Sequence, residues 1–287
     1  MKPAALLLAL LLPAAALADD PDLVPAIGAL EHGDYRQAID TLQPLAANGT
    51  VEAQYVLATV LETAPPPLRD LKAAKEWYER AAGAGHAGAQ NNLGAMYFDG
   101  RGARRDFVEA AKWYRLAADQ GNAVAETNLG LMYGMGLGVP QSFDDMAQWL
   151  EKAAEQGEAT AQAQLARLYL DGQGVKQDPA AAVKWFREAA ARENADAQFF
   201  LGVLLEKGIG AKRDAEAAYQ WLLKSAQHGQ RLAMLELANI YELGLGVPAD
   251  AGQARAWRER AAHQPAAKEG PDGHAASQRA EPRTAKP

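Results

Sequence analysis

The stretch GAMYFDGRGARRDFVEAAKWYRLAADQGN, from Gly94 to Asn122, decides the fold of this chain. Its Gly100-Arg101-Gly102, followed by the basic pair Arg104-Arg105, could be a glycine-rich loop that holds phosphate. Such a loop would need a preceding strand, a third glycine and a helix that begins at the phosphate. A structural turn would instead recur along the chain, so the rest of the sequence distinguishes the two interpretations.

The stretch does recur, in a register of 36 residues. The tryptophans of the chain mark that register: Trp77, Trp113, Trp149, Trp185, Trp221 and Trp257. The glycine pair returns four more times, at Gly136/Gly138, Gly172/Gly174, Gly208/Gly210 and Gly244/Gly246. We therefore interpret the pair as a turn, in which glycine is needed because the backbone must adopt a positive φ.

Each 36-residue unit is predicted to form two helices joined by this turn. Counted from Val51 as position 1, apolar or small residues occupy positions 3, 7, 10 and 11, which is the stripe of an amphipathic helix. The second helix carries the tryptophan at position 27, and we expect this indole to fill the gap between helix pairs. An aspartate is expected to cap the start of most second helices: Asp70, Asp106, Asp178, Asp214 and Asp250.

Two units depart from the pattern. In the first unit, TAPPPLRD (residues 63–70) replaces the glycine turn, so the first helix should stop before Pro65 and the link should be stiff. In the fourth unit, Glu193 stands where a glycine closes the other second helices, which predicts a different helix end.

The pattern Ala-x-x-x-Leu-Gly-x-x-Tyr-x-x-Gly-x-Gly-Val-x-x-Asp, followed by Ala-x-x-Trp-x-x-x-Ala-Ala, resembles the Sel1-like repeat, a relative of the tetratricopeptide repeat. The resemblance implies an all-α fold, an α-solenoid superhelix of helix-turn-helix units. The six repeats are predicted at 51–86, 87–122, 123–158, 159–194, 195–230 and 231–264. Residues 19–50 resemble a degenerate repeat that caps the N-terminal end, and residues 265–287 lack apolar periodicity and are expected to be disordered.

The N-terminus has the pattern of a cleaved export signal. Lys2 precedes an apolar run from Ala4 to Ala16, and Ala16-Leu17-Ala18 matches the small-x-small motif of a cleavage site. We expect residues 1–18 to be removed between Ala18 and Asp19, and the mature protein to be periplasmic or secreted. No apolar run is long enough to span a membrane, and the absence of cysteine rules out disulfides, thiolate metal sites and a lipid anchor on an N-terminal cysteine.

Charge and residue spacing exclude several classes of function. Without residues 1–18 the net charge falls from −7 to −8, which disfavours nucleic acid as a partner. The histidines, His32, His86, His228, His263 and His274, show no metal-binding spacing and are expected to be exposed or to cap helices. Asp144-Asp145 is explained as well by helix capping as by acid-base chemistry. We therefore predict no catalysis, no cofactor and no metal.

The outer face of the first helix is the candidate binding site. Family resemblance implies that this face lines a concave groove that holds a segment of another protein. The candidate residues are Asn91, Asn92, Thr127, Asn128, Gln164, Arg167, Phe199 and Phe200. The amides can bond to the main chain of an extended peptide, and the aromatic pair can supply an apolar anchor. Alternatively, one phenylalanine packs against the next repeat and the amides only face water.

These observations predict an exported protein-binding scaffold or adaptor in the cell envelope. Resemblance to the family suggests a periplasmic regulator of a signalling system. A scaffold in an exopolysaccharide secretion complex is the alternative, followed by a virulence factor that binds a host protein and by a β-lactamase-like hydrolase. The last is disfavoured because the chain lacks both the cysteines of such relatives and a Ser-x-x-Lys motif.

Overall fold

The computed structural model describes residues 21–264, and the predicted signal segment and C-terminal tail lie outside this range. The described part contains fourteen α-helices and no strand. It divides into two compact units, residues 21–168 with 172–176 and residues 169–171 with 177–264. The all-α class predicted from the sequence is confirmed.

In each unit, consecutive antiparallel helices pack against one another along the chain, which is the arrangement of an α-solenoid. In the first unit the helices are α1 (Val24–Glu31), α2 (Tyr35–Ala47), α3 (Val51–Thr63), α4 (Leu71–Gly83), α5 (Ala87–Asp99), α6 (Phe107–Ala118), α7 (Ala123–Met135), α8 (Phe143–Glu155) and most of α9 (Ala159–Asp171). In the second unit they are α10 (Pro179–Ala191), α11 (Ala195–Lys207), α12 (Ala215–Gln227), α13 (Arg231–Leu243) and α14 (Ala251–His263).

Side-chain caps start the second helix of every repeat. At α4 the Asp70 carboxylate accepts hydrogen bonds from two backbone N–H groups at 3.0 Å. The other four predicted aspartates also cap their helices, Asp106, Asp178 and Asp250 through two backbone N–H groups and Asp214 through one. In α8 the cap is Ser142, whose hydroxyl accepts from Asp145 N at 3.1 Å. Asp144 and Asp145 lie in the first turn of α8, where a negative charge complements the helix dipole.

The two glycines of each turn serve different purposes. The first ends the helix in the left-handed conformation, as Gly136 does at φ 68°. The second lies directly on the start of the preceding second helix. A Cβ on Gly138 would stand 2.1 Å from the carbonyl oxygen of Phe107, and one on Gly210 would stand 2.1 Å from that of Pro179. The second glycine of the pair is therefore one of the contacts by which one repeat stacks on another within a unit.

The two departures from the repeat pattern leave the helices in register. Helix α3 ends at Thr63, before Pro65, as expected. The expectation of a different end for α10 is wrong, because α10 stops at Ala191, the same repeat position at which α8 stops. Glu193 instead adopts the conformation that glycine has elsewhere, with φ 63°. This costs a residue with a Cβ about 1 kcal/mol or more.

The tryptophans are less buried than predicted. Trp149 and Trp257 are each 8% exposed, whereas the other four are half-buried. In five repeats the residue that follows the tryptophan is the larger contributor to the core, being fully buried or nearly so: Tyr78, Tyr114, Leu150, Phe186 and Leu222. Position 27 thus lies at the edge of the buried stripe, and position 28 lies at its centre.

A basic side chain covers each of these indoles. In four repeats it comes three residues after the tryptophan: Arg80, Lys152, Lys224 and Arg260, at 3.9 to 4.6 Å from the ring centre. In the other two repeats that position holds Leu116 or Glu188. There the residue before the tryptophan is a lysine, and Lys112 and Lys184 lie 5.6 and 5.3 Å from the ring centre. The cation changes position but is present in all six repeats.

A row of buried glutamines at position 4 ties the first helix of four repeats to the end of the preceding second helix, while repeat 231–264 has Met234 at this position. We call it the glutamine row. Each side-chain amide donates to a carbonyl eight residues earlier, at 3.0 to 3.2 Å: Gln54 to Ala46, Gln90 to Ala82, Gln162 to Ala154 and Gln198 to Ala190. The acceptors lie in the last turn of a helix, where carbonyls lack intrahelical partners. In the repeat 123–158 the same position holds Glu126, which is 3% exposed.

Candidate functional site

The predicted binding residues fall in both units. Six lie in the first unit, in pairs on α5 (Asn91, Asn92), α7 (Thr127, Asn128) and α9 (Gln164, Arg167). Phe199 and Phe200 lie on α11 in the second unit. Each group is therefore described separately.

Three of the amides are joined into one hydrogen-bonded chain across α5 and α7. Asn128 Nδ2 donates to Asn91 Oδ1 at 3.2 Å, and Asn91 Nδ2 donates to Asn92 Oδ1 at 3.1 Å. Asn92 Nδ2 in turn donates to the hydroxyl of Tyr78 at 3.1 Å, and this hydroxyl donates to Glu62 Oε2 at 2.9 Å. All three asparagines are half-buried. We call this set of five residues the amide chain.

The carboxylate at one end sets the orientation of every amide in the chain. Burial and the nearby charge of Glu62 raise the pKa of Tyr78 well above its usual value, so its hydroxyl keeps the proton that it donates. The phenol oxygen must then accept from Asn92, and each asparagine oxygen must accept from the next amide in turn. Arg101 forms a salt bridge with the other oxygen of Glu62 and holds this carboxylate in place.

The other predicted residues of the first unit differ in exposure. Thr127 is 4% exposed and its hydroxyl donates to Ala123 O at 2.9 Å, so it faces the interior and does not extend the amide row. Gln164 is half-buried and holds repeat position 6, as Asn92 and Asn128 do. Arg167 is half-buried one turn further along α9. The row on this face is thus Asn92, Asn128 and Gln164, with Asn91 beside it.

The aromatic pair of the second unit is used largely in packing. The ring of Phe200 stacks on that of Phe186 at a centroid distance of 5.3 Å, with an angle of 18° between the ring planes. Phe199 meets Phe200 edge-on at 5.3 Å and contacts the core of this unit. Both remain half-buried.

His86 shows the most elaborate contacts of any histidine in the described residues, and they are structural. Its Nδ1 accepts from Ala89 N at 3.0 Å and so caps α5, as expected from the sequence. Its Nε2 therefore carries the proton and bonds to Glu52 Oε2 at 3.1 Å, while the ring stacks on Tyr55 at 4.3 Å. Among residues 21–264, no group of three His, Asp or Glu side chains is placed to hold a metal ion.

Two residues that anchor the amide chain, Tyr78 and Glu62, were not predicted from the sequence. Tyr78 follows a tryptophan and carries no distinguishing pattern, and its contact with Asn92 joins residues 14 positions apart. The only available signal was that its repeat position holds a hydroxyl in this repeat and the next, but an apolar residue in the three that follow.

The family model of the Sel1 repeat matches six consecutive segments, residues 51–86, 87–122, 123–158, 159–194, 195–230 and 231–265. The chain is a Sel1 repeat protein. Sel1 repeats mediate protein–protein interaction, and proteins built from them are generally non-enzymatic scaffolds. The resemblance inferred from the tryptophan register is confirmed.

Solved structures of Sel1 repeat proteins agree with this assignment. A Sel1 repeat protein from Oxalobacter formigenes is 34% identical with a TM-score of 0.76, and the match covers 85% of this chain and 97% of that one. A protective antigen of uropathogenic Escherichia coli strains is also 34% identical, with a TM-score of 0.74. That match covers 79% of this chain but 48% of the antigen. Comparison with curated proteins yielded no match.

Helix lengths and hydropathy bear on membrane association. No helix within residues 21–264 combines the length and the apolar character that crossing a membrane requires.

Proposed function

We propose that this Sel1 repeat protein is an exported scaffold that binds an extended segment of another protein on the face formed by α5, α7 and α9. The proposal is supported by the orientation of the amide chain, because side chains that are already fixed lose little entropy when a partner binds. A role in the cell envelope, as a regulator of a signalling system, follows if the N-terminal segment directs export.

The chemistry of this face favours the main chain of the partner as the ligand. The bonds within the amide chain use one N–H of Asn91 and one of Asn128 and leave the second N–H of each for another acceptor, whereas Asn92 also bonds to the hydroxyl of Tyr55. Carbonyl oxygens of an extended peptide are acceptors at regular spacing, so a row of amides on successive repeats can bind them without selecting a particular side chain. Gln164 on α9 continues this row by one repeat.

Selection of binding peptides from a displayed random library on the full-length protein would supply a ligand with which to test the proposal. The double variant Asn92→Ala with Asn128→Ala is expected to weaken a selected peptide by more than tenfold, about 1.4 kcal/mol. Gln148→Ala removes an exposed amide from the second helix α8 and should leave the affinity unchanged. Equal affinity of the double variant and the wild type, with unchanged thermal unfolding, would exclude this face.

Export is tested separately. Intact mass measured after cell fractionation should show a chain that begins at Asp19 in the periplasmic or secreted fraction. Recovery of the full-length chain from the cytoplasm would exclude the proposed role in the cell envelope. The proposed binding face would then still be tested by the peptide experiment.

A further inference from the structure

Helix α6 carries an exposed apolar surface that the repeat fold does not require. Val108 is 64% exposed and Leu116 is 41% exposed, although both lie within a well-packed helix pair. Together with the turn at Gly138 and Val139 they line a cleft of about 350 Å³. We call this the α6 cleft. It belongs to the first unit and to a second helix, whereas the asparagines of the amide chain lie on first helices.

The other repeats hold different residues at the positions of Val108 and Leu116. In order along the chain, these pairs are Lys72 and Arg80, Asp144 and Lys152, Ala180 and Glu188, Glu216 and Lys224, and Gly252 and Arg260. All five of these repeats thus have a charged residue at the position of Leu116. Three of them also have a charged residue at the position of Val108. Because the helices form equally well with these residues, the apolar pair is dispensable for the fold and is particular to repeat 87–122.

One end of the cleft is basic, although the protein as a whole is acidic, with a net charge of −7. The cleft adjoins a second depression, through Val108 and Gly138, whose lining includes Arg104 and Arg105. Both arginines are exposed. The neighbouring carboxylate of Asp106 already accepts from two backbone N–H groups as the cap of α6, at 3.0 and 3.1 Å.

The charges along the cleft itself are more nearly balanced. Lys112 pairs with Glu109 at 3.2 Å, and Arg115 bonds to the hydroxyl of Tyr133. Asp119 lies at the end of the cleft opposite to Arg104 and Arg105. An occupant is therefore expected to place an apolar side chain in the cleft and negative charge at the arginine end.

From these features we infer that the α6 cleft binds an acidic, aliphatic segment of a partner protein. A branched aliphatic side chain packs between Val108, Leu116 and Val139, and carboxylates flanking it meet Arg104 and Arg105. Charge complementarity of this kind accelerates encounter and selects the partner, while burial of the apolar side chain supplies affinity. The surface is separate from the amide chain and does not depend on it.

The probe is a fluorescein-labelled synthetic peptide in which two leucines are flanked on one side by aspartate and glutamate, made in both sequence orders, titrated against the full-length protein and followed by anisotropy. The double variant Val108→Glu with Leu116→Lys introduces the residues that repeat 195–230 carries at these positions, so it preserves the fold. It should weaken binding at least tenfold. Arg104→Gln with Arg105→Gln should weaken it about threefold or more and reduce its dependence on salt.

Three controls separate the cleft from other surfaces. Leu243→Lys removes a leucine that is 68% exposed on α13 and adds the same charge as Leu116→Lys, and it should leave binding unchanged. Asn92→Ala with Asn128→Ala should also bind the peptide fully, which distinguishes failure here from failure of the proposed amide face. A peptide with serine in place of leucine should bind at least tenfold more weakly.

Two results would overturn the inference. One is the absence of saturable binding by the wild-type protein, or equal binding by the double variant Val108→Glu with Leu116→Lys. The other is concentration-dependent self-association of the wild-type protein, measured by sedimentation, that this double variant abolishes. In that case the occupant would be a second copy of the chain instead of an acidic segment.

Discussion

Replacing Glu126 by glutamine should stabilise the protein, because it completes the glutamine row. The residue Glu126 is 3% exposed, and burial raises the pKa of its carboxyl group, while Lys152 and the hydrogen bond from Gln156 at 2.7 Å oppose this rise. An ionised carboxylate cannot donate to the carbonyl of Ala118, which corresponds to the acceptors of the other row members. A glutamine can donate there and still accept from Gln156.

The repeat before it shows the expected arrangement. Gln90 Nε2 donates to the carbonyl of Ala82 at 3.1 Å, while Gln90 Oε1 accepts from Gln120 at 2.6 Å. Glu126→Gln should recreate both bonds. A net hydrogen bond contributes about 1 kcal/mol, and relief of a buried charge adds to it while loss of the attraction to Lys152 subtracts. We expect a gain of about 1–2 kcal/mol at pH 7, or a rise of about 2–6 °C in Tm.

The gain should depend on pH with a defined sign. The unfolded carboxyl group titrates near its usual value of 4.5, and the folded one titrates higher. The contribution of Glu126 to the stability of the wild type is therefore complete below that value, and it is lost as pH rises through the raised folded pKa. The protonated acid can donate to the carbonyl as an amide does. The difference between Glu126→Gln and the wild type should thus be small at pH 4 and largest at pH 7.

Thermal unfolding of both proteins at pH 4, 5.5 and 7, with hydrogen exchange of α6 and α7 at each pH, measures this difference. Gln90→Glu is the reverse control, and it should lose stability at pH 7 and much less at pH 4. A Glu126→Gln protein no more stable than the wild type at pH 7 would refute the reasoning, as would a difference that stays constant with pH.

Three further predictions concern the packing, and each is tested by thermal or denaturant unfolding. Trp149→Ala should cost about 3–5 kcal/mol, and Trp185→Ala, at a half-buried indole, should cost clearly less; equal costs would contradict the difference in burial. Glu193→Gly should gain about 0.5–1 kcal/mol by relieving the positive φ, and a loss would show that its side chain makes a compensating contact. Gly138→Ala should cost at least about 2 kcal/mol, because strain and a steric clash add, whereas Gly121→Ala should cost about 1 kcal/mol from strain alone.

The helices and turns could be predicted because six units repeat the same information. One copy of Gly100-Arg101-Gly102 was ambiguous, whereas five copies in register identify a turn between two helices. The caps followed from aspartates at one repeat position, of which Asp70 is an example. The exception at Ser142 was not predicted because its position is occupied by aspartate in the other repeats, and any small hydroxyl or carboxylate can cap there.

Burial within the second helix could not be resolved from the same pattern. Successive residues of a helix lie about 100° apart, so Trp113 and Tyr114 both fit a broad apolar stripe. Which one lies at its centre depends on where the neighbouring first helix packs. Gly94 permits this approach, since a Cβ there would lie 2.8 Å from the ring of Tyr114. The end of α10 was mispredicted from Glu193. Packing within the repeat keeps the helix end at its usual repeat position, although a residue with a Cβ disfavours the positive φ that Glu193 then adopts.

The candidate binding face was predicted residue by residue, but its connections were not. That Asn92 and Asn128 share a face follows from their common repeat position. Their bonds to Asn91 and Tyr78, and the bond from Tyr78 to Glu62, depend on side-chain contacts that periodicity does not encode. For the same reason, the sequence could not show that Thr127 is turned inward toward a backbone carbonyl.

The alternative placement of the cation on each indole has a consequence for how the repeats can diverge. Where the residue three positions after the tryptophan is basic, as Lys152 is, its side chain covers the indole, so that site on the second helix cannot vary freely. Where Lys112 or Lys184 takes over the contact, the site is released from this constraint. The released sites hold Leu116, which lines the α6 cleft, and Glu188, which pairs with Arg192. When the lysine lies before the tryptophan instead of three residues after it, a repeat can therefore vary this surface position of its second helix and bind a different partner. The packing between repeats does not change.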